Sequence, residues 1–145
     1  ALVATRKYDE AIKDFNLVIS LNPNDVQALS NRGLVYRRLK QYDQALADLN
    51  KAIEIDPTYA EAWLSRGTVF AQINQWSDAV LDYTRGIELA SQNYTAYHNR
   101  GIAYEQMGKK AEAVADFRTF LRMAPTGDLL RPSVEQRIKM LEEAP

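Results

Sequence analysis

The sequence contains no cysteine, which excludes disulfides, thiolate metal sites and a cysteine nucleophile. It leaves the compartment open, with a cytoplasmic location favoured over a periplasmic or secreted one. His98 is the sole histidine, too few for a converging imidazole metal site. No apolar run approaches the roughly 18–20 residues that cross a bilayer, so membrane insertion is not expected. A basic excess is missing as well. Eighteen Lys and Arg stand against 19 Asp and Glu, for a formal net charge of −1. A surface built for phosphate backbones needs the opposite balance, so no nucleic-acid partner is expected. The chain also lacks phosphate-loop and dinucleotide glycine motifs, an HExxH pair and a Gly-x-Ser-x-Gly elbow. With none of these present, no catalytic residue, cofactor or metal is expected, and the chain is not read as an enzyme.

What the sequence has instead is a period. Arg32-Gly33 recurs as Arg66-Gly67 and again as Arg100-Gly101, at one constant interval. Ala11, Ala45, Ala79 and Ala113 keep that spacing, as do Asp14, Asp48, Asp82 and Asp116. Ile19, Ile53, Ile87 and Leu121 follow it too, and Pro23, Pro57 and Pro125 fall in phase, with Ser91 in the slot between the last two. So many unrelated residue types on one spacing mark a repeat.

Each period reads as two helices. Leu29, Gly33, Tyr36 and Leu39 share one helical face over 26–39, and Ala45, Leu49, Ala52, Ile53 and Ile55 share another over 43–55. Lys40-Gln41-Tyr42 joins them, and Asp56-Pro57 ends the second. A link this short makes the two helices antiparallel. A glycine inside a helix costs about 1 kcal/mol relative to alanine. Its recurrence at 33, 67 and 101 predicts a close approach of the paired helices, with the in-phase alanine opposite. Ser91 in a proline slot predicts a looser or longer second helix there. The turn itself persists, because Ser91-Gln92-Asn93 is turn-prone.

Trp63-x-x-x-Gly67-x-x-Phe70, followed by Ala79, Tyr83 and a later helix stop, resembles the tetratricopeptide repeat (TPR), whose unit has the same length, about 34 residues. The resemblance implies an all-α, right-handed superhelical solenoid of antiparallel helix pairs. Its units are 26–59, 60–93 and 94–127, preceded by a truncated repeat over 1–25 that is mainly a second helix, with 1–5 the end of a first helix. Residues 128–145 form a linker and a capping helix, making one continuous solenoid domain. Ser133-Val134-Glu135-Gln136 reads as a capping box opening that helix, with Val134, Ile138 and Leu141 on its apolar face. Phe120, where the earlier units have Ala52 and Gly86, is bulky enough to reach it.

The resemblance also implies protein binding in a concave groove lined by the first helix of each pair. The groove positions are Gln27, Ser30, Asn31, Leu34, Arg37 and Arg38 in the first full unit. In the second they are Glu61, Leu64, Ser65, Thr68 and Gln72; in the third, Thr95, His98, Asn99, Ile102, Glu105 and Gln106. Arg37 and Arg38, with Lys40 nearby, would favour acidic groups. One subfamily grips chaperone carboxylates with a lysine–asparagine clamp. Asn31 and Asn99 resemble its asparagine, but Glu61, Ser65 and Thr95 occupy positions that would complete it, so the clamp is not expected.

In this family an apolar residue usually stands where Arg32, Arg66 and Arg100 stand, so each calls for a compensating charge. Pairing each aspartate with the arginine of the following unit, as Asp14/Arg32, Asp48/Arg66 and Asp82/Arg100, would form a ladder between units. The leading functional expectation is a scaffold or adaptor for a protein or peptide. The alternatives are a regulatory or substrate-presenting module of a larger enzyme and, against the charge balance, an RNA-binding helical repeat. The severed first unit also makes self-association possible.

Overall fold

The computed structural model describes residues 2–145, all helix and connections among those residues. Eight helices follow in order among them: α1 (Leu2–Leu21), α2 (Val26–Arg38), α3 (Tyr42–Ile55), α4 (Ala60–Gln72), α5 (Trp76–Leu89), α6 (Tyr94–Gln106), α7 (Lys110–Met123) and α8 (Arg131–Glu143). The pairs α2/α3, α4/α5 and α6/α7 pack most extensively, and each helix otherwise meets its neighbours in sequence. The exceptions set the shape. α2 touches α4 and α4 touches α6, whereas α3, α5 and α7 do not touch one another. First helices lying closer together than second helices bend the solenoid toward α2, α4 and α6. That face is the concave one.

The phase of the repeat reappears in the turns. Lys40, Asn74 and Gly108 take positive φ values of 60°, 63° and 73°, so the chain reverses through a left-handed residue at the same point of every unit. Glycine serves this best and asparagine tolerates it, whereas a lysine there carries strain. Asp25 and Asn93 cap α2 and α6, each side chain accepting from the backbone N–H three residues on.

The in-helix glycines do mark close approach, although the partner differs from the one expected. A Cβ on Gly33 would lie 3.0 Å from Leu49, one on Gly67 3.0 Å from the Tyr83 ring, and one on Gly101 2.7 Å from the Phe117 ring. The residue opposite is therefore the large side chain one helical turn beyond the in-phase alanine. Of the in-phase alanines only Ala45 comes comparably near, its carbonyl 3.3 Å from the Gly33 site, and Asp82 Cβ lies 3.2 Å from the Gly67 site. The alanines of the three full units fill the rest of the seam at 0% exposure. Leu49, Tyr83 and Phe117 are likewise sealed.

The termini and the last break between units depart from expectation in three ways. α1 runs unbroken from Leu2 to Leu21; residue 1 lies outside the described residues. The break expected after residue 5 is absent. Among the described residues α1 contacts α2 alone and residues 2–5 are exposed, so nothing there offsets the loss of helical hydrogen bonds at a turn and the helix continues. α5 is as long as α3 and α7, 14 residues, so Ser91 does not lengthen it. α8 starts two residues before the supposed capping box, with Leu130 as its N-cap and Pro132 in the first turn. Proline suits that turn because its missing N–H would be unpaired anyway. Ser133 sits inside the helix and its hydroxyl donates to the Leu130 carbonyl.

The apolar face of α8 docks as expected. Val134 is fully buried, with Ile138 and Leu141 beside it, in one cluster with Phe117 and Phe120. Arg131 strengthens the join. Its Nη1 donates to the carbonyls of Leu121 and Ala124 at 2.6 and 3.0 Å, satisfying the open C-terminal end of α7. Arg118 pairs with Glu142 on the outside.

Candidate functional site: the concave face

The arginine–glycine step of each first helix builds the frame of this face. Arg32 holds Asp48 with two hydrogen bonds, Nε to Oδ2 at 2.7 Å and Nη2 to Oδ1 at 2.6 Å. Arg66 holds Asp82 at 2.7 and 2.8 Å, and Arg100 holds Asp116 at 2.8 Å on both edges. These pairs lie within a unit, which corrects the expected pairing between units. Antiparallel helices in contact along their length place the arginine of the first against the aspartate of the second. For Arg66 and Arg100 the aspartate of the preceding unit, Asp48 or Asp82, is already turned toward its own arginine. What links one unit to the next is the remaining Nη1, which donates to Asn16, Asn50 and Thr84 at 2.8, 2.9 and 3.1 Å.

Each guanidinium also lies over aromatic rings of its own helix, three residues back or four ahead. Arg66 is 5.1 Å from the Trp63 centroid and 5.7 Å from that of Phe70; Arg100 is similarly placed between Tyr97 and Tyr104. Arg32 has only Tyr36, because Leu29 stands at the other position. The carboxylate hydrogen bonds raise the pKa of Arg32 and Arg100 above the ordinary arginine value, against a smaller lowering by burial. These cations are structural, held with about one-fifth of each side chain exposed.

In front of this frame the concave face forms a trough. Its centre is a hollow with Leu34, Arg37, Leu64, Ser65, Thr68 and Asn99 in its wall, closed by Thr95. On one side it runs into a hollow bounded by Ser30, Asn31 and Glu61, and on the other into one bounded by Gln72 and Ile102. Of the groove positions expected from sequence, these are the ones brought together. Ser30 is at the floor, 3% exposed. Gln27, Arg38 and Gln106 line none of these hollows.

Two further positions are taken by the protein itself. His98 turns inward, its ring 5.4 Å from that of Phe120 and 6.1 Å from that of Phe117. Burial lowers its pKa, opposed by its contact with Asn99. Glu105 is held by Arg137 of α8 at 2.7 Å. The terminal helix thus reaches the far end of the concave face through this ion pair.

Sequence reasoning missed Tyr83, Trp76 and Asn93, which also line the trough. Tyr83 belongs to a second helix and repeats the core phase of Leu49 and Phe117. Only its hydroxyl, donating to Thr68 Oγ1 at 3.1 Å, reaches the groove, and a hydropathy pattern does not register one terminal oxygen. Among the described residues no group of three or more His, Asp or Glu is placed to hold a metal ion. No helix of the described residues is long and apolar enough to cross a membrane.

Comparison with known proteins agrees with this geometry. The tetratricopeptide repeat models match residues 26–59 and 94–126, and a TPR repeat model matches 1–40 and 67–108. No curated protein sequence matches the chain. Among solved structures, the crystal structure of MamA superimposes with a TM-score of 0.78 at 24% identity, covering 97% of this chain and 90% of that one. The Arabidopsis OM64 TPR domain gives 0.74 at 24% identity, over 83% and 96%. The first TPR of Spaghetti (RPAP3), bound to the HSP90 peptide SRMEEVD, gives 0.75 at 21% identity, over 82% and 91%. At these identities the likeness is one of fold.

Proposed function

Because the chain belongs to the tetratricopeptide repeat family, we propose that it is a protein-interaction module that holds an extended segment of a partner protein along the concave trough, without catalysis. The observation that carries this reading is the trough itself. Three first helices present Leu34, Leu64 and Ile102 between polar side chains along one continuous line of hollows. Such alternation suits a peptide that seats apolar side chains while its backbone meets amide and hydroxyl groups. The peptide bound to the RPAP3 repeat domain supports a like use of a like fold. The positions of the carboxylate clamp remain incomplete here, so a chaperone tail is not the proposed ligand.

Thr95 is exposed and borders the central hollow, so Thr95→Trp fills the trough without touching the core. Binding of the partner in pull-down and titration is expected to fall at least tenfold, with the circular dichroism spectrum and melting temperature unchanged. Unchanged binding by a folded Thr95→Trp chain would rule the concave face out.

A second surface supports association of another kind. α1 exposes Leu17 at 63%, Val18 at 41% and Leu21 at 80%, with Leu2 and Val3 further along. Asp14, in phase with three buried aspartates that each hold an arginine, is exposed there. This face fits a second copy of the chain, since apolar side chains this exposed favour burial against a like face. Light scattering is expected to show a concentration-dependent dimer that Leu17→Lys with Leu21→Lys returns to monomer. A monomer at every concentration eliminates this second reading.

A further inference from the structure

Four arginines, Arg32, Arg37, Arg66 and Arg100, lie in or behind the concave trough, and three of them have a carboxylate. The fourth does not. Arg37, in the last turn of α2, is in no ion pair among the described residues, and its Nε is buried without a hydrogen-bond acceptor. A buried guanidinium N–H with no acceptor is a costly arrangement that native structures rarely keep without a use. The charges and hydroxyls nearest it are Arg38, Tyr42 and Tyr83, with no acid among them, and burial lowers its pKa.

Two amides in the wall of the central hollow, Asn93 and Asn99, add donors. In the Nδ1–H tautomer of His98, Asn99 Oδ1 accepts from Nδ1 at 3.3 Å, which leaves the Asn99 amide N–H groups for the hollow. Asn93 Oδ1 accepts from the Ala96 N–H at 3.3 Å, with the same result. Tyr83 and Thr68 satisfy each other, and Thr68 donates onward to the Leu64 carbonyl at 3.0 Å. Among the described residues no carboxylate lines this hollow, whereas Glu61 borders the next one.

From this arrangement we infer that the central hollow is a receptor for one acidic side chain of the bound segment, with Arg37 as the counter-ion and Asn99 and Asn93 as flanking donors. The inference rests on the trough being the binding surface. A free volume of about 130 Å³ suits a carboxylate with the methylenes that carry it, and Leu34 and Leu64 supply the apolar wall for those methylenes. Turning the guanidinium toward the carboxylate gives Nε–H an acceptor and forms the two-pronged contact for which arginine is suited. The hollow opens at both ends into neighbouring hollows, sharing Ser65 with one and Asn99 with the other. A segment can thus run through, which favours an internal Asp or Glu over a terminal carboxylate. Of the three receptor residues only Asn99 coincides with a clamp position; Arg37 and Asn93 stand apart from the clamp positions Asn31, Glu61, Ser65, Thr95 and Asn99.

A pool of random dodecapeptides displayed on phage, selected against the whole chain, tests this. The expected result is enrichment of Asp or Glu at one position in fixed register with flanking apolar residues. The selected peptide, synthesised as its C-terminal amide, is expected to bind about tenfold more weakly to Arg37→Gln while Arg37→Lys retains part of the affinity. Loss of binding on amidation alone assigns the site to a terminal carboxylate and overturns the internal acid. Peptides that Thr95→Trp excludes but that carry no acid, or that bind Arg37→Gln equally well, overturn the anion receptor and leave the trough standing. Failure to select any peptide sensitive to Thr95→Trp overturns both.

Discussion

Replacing Asp82 with alanine is expected to lower the stability of the chain by about 3–5 kcal/mol, the cost of stripping one partner from a largely buried ion pair. Asp82 is 3% exposed and is the acceptor of both Arg66 contacts. Without it the guanidinium stays pinned between Trp63 and Phe70 and tied to Asn50 in the preceding unit. It cannot swing into water without giving up those contacts. Asp82→Asn keeps the volume and fails similarly, because an amide cannot accept both N–H bonds. Replacing both partners together, as Arg66→Leu with Asp82→Ala, is expected to recover more than half of the loss, since no charge is then left buried. Urea unfolding followed by circular dichroism measures all four chains. A loss below about 1 kcal/mol for Asp82→Ala, the range of an exposed pair, would falsify a structural role for this pair.

Phe120→Ala is expected to be as severe, costing about 3–5 kcal/mol as a buried aromatic truncated in a core, with the damage falling on one end. Phe120 has 0% exposure, packs its ring on Tyr94 and His98, and shares a cluster with Val134, Ile138 and Leu141 of α8. Removing it opens a cavity under the terminal helix. Hydrogen exchange should then show α8 losing protection before α2 and α3, which do not contact it. Solenoids permit this because each element depends only on its neighbours. Equal loss of protection along the whole chain would contradict that account. So would an α8 as protected as in the parent.

The fold was legible because a repeat states the same packing problem several times. One glycine in a helix is ambiguous; three in phase, each opposite a large residue, are not. The groove positions were legible for a related reason. Once the first helices are known to face inward, helical periodicity assigns Leu34, Leu64, Ser65 and Asn99 to that face. His98 and Glu105 carry the same periodicity and yet are withdrawn from the trough, one into the aromatic cluster and one onto Arg137. Periodicity reports the direction of a Cβ and not the partner a side chain finds.

The sequence by itself determined the repeating unit, the helix pairs, the close seam at the in-helix glycines, the reach of Phe120 toward a terminal helix and the need of each in-phase arginine for a counter-ion. These depend on local hydrogen bonding and on side-chain size, which recur with the period. Only the tertiary structure decided which aspartate answers which arginine. Asp48 and Asp82 are equally available to Arg66 along the chain, and they differ only once antiparallel helices are laid side by side. It alone showed the unbroken α1, the Arg137–Glu105 pair at the end of the trough, the Tyr83 hydroxyl within it and the Arg37 Nε buried without an acceptor. Apart from the unbroken α1, each of these turns on residues distant in sequence and on where the helices come to rest.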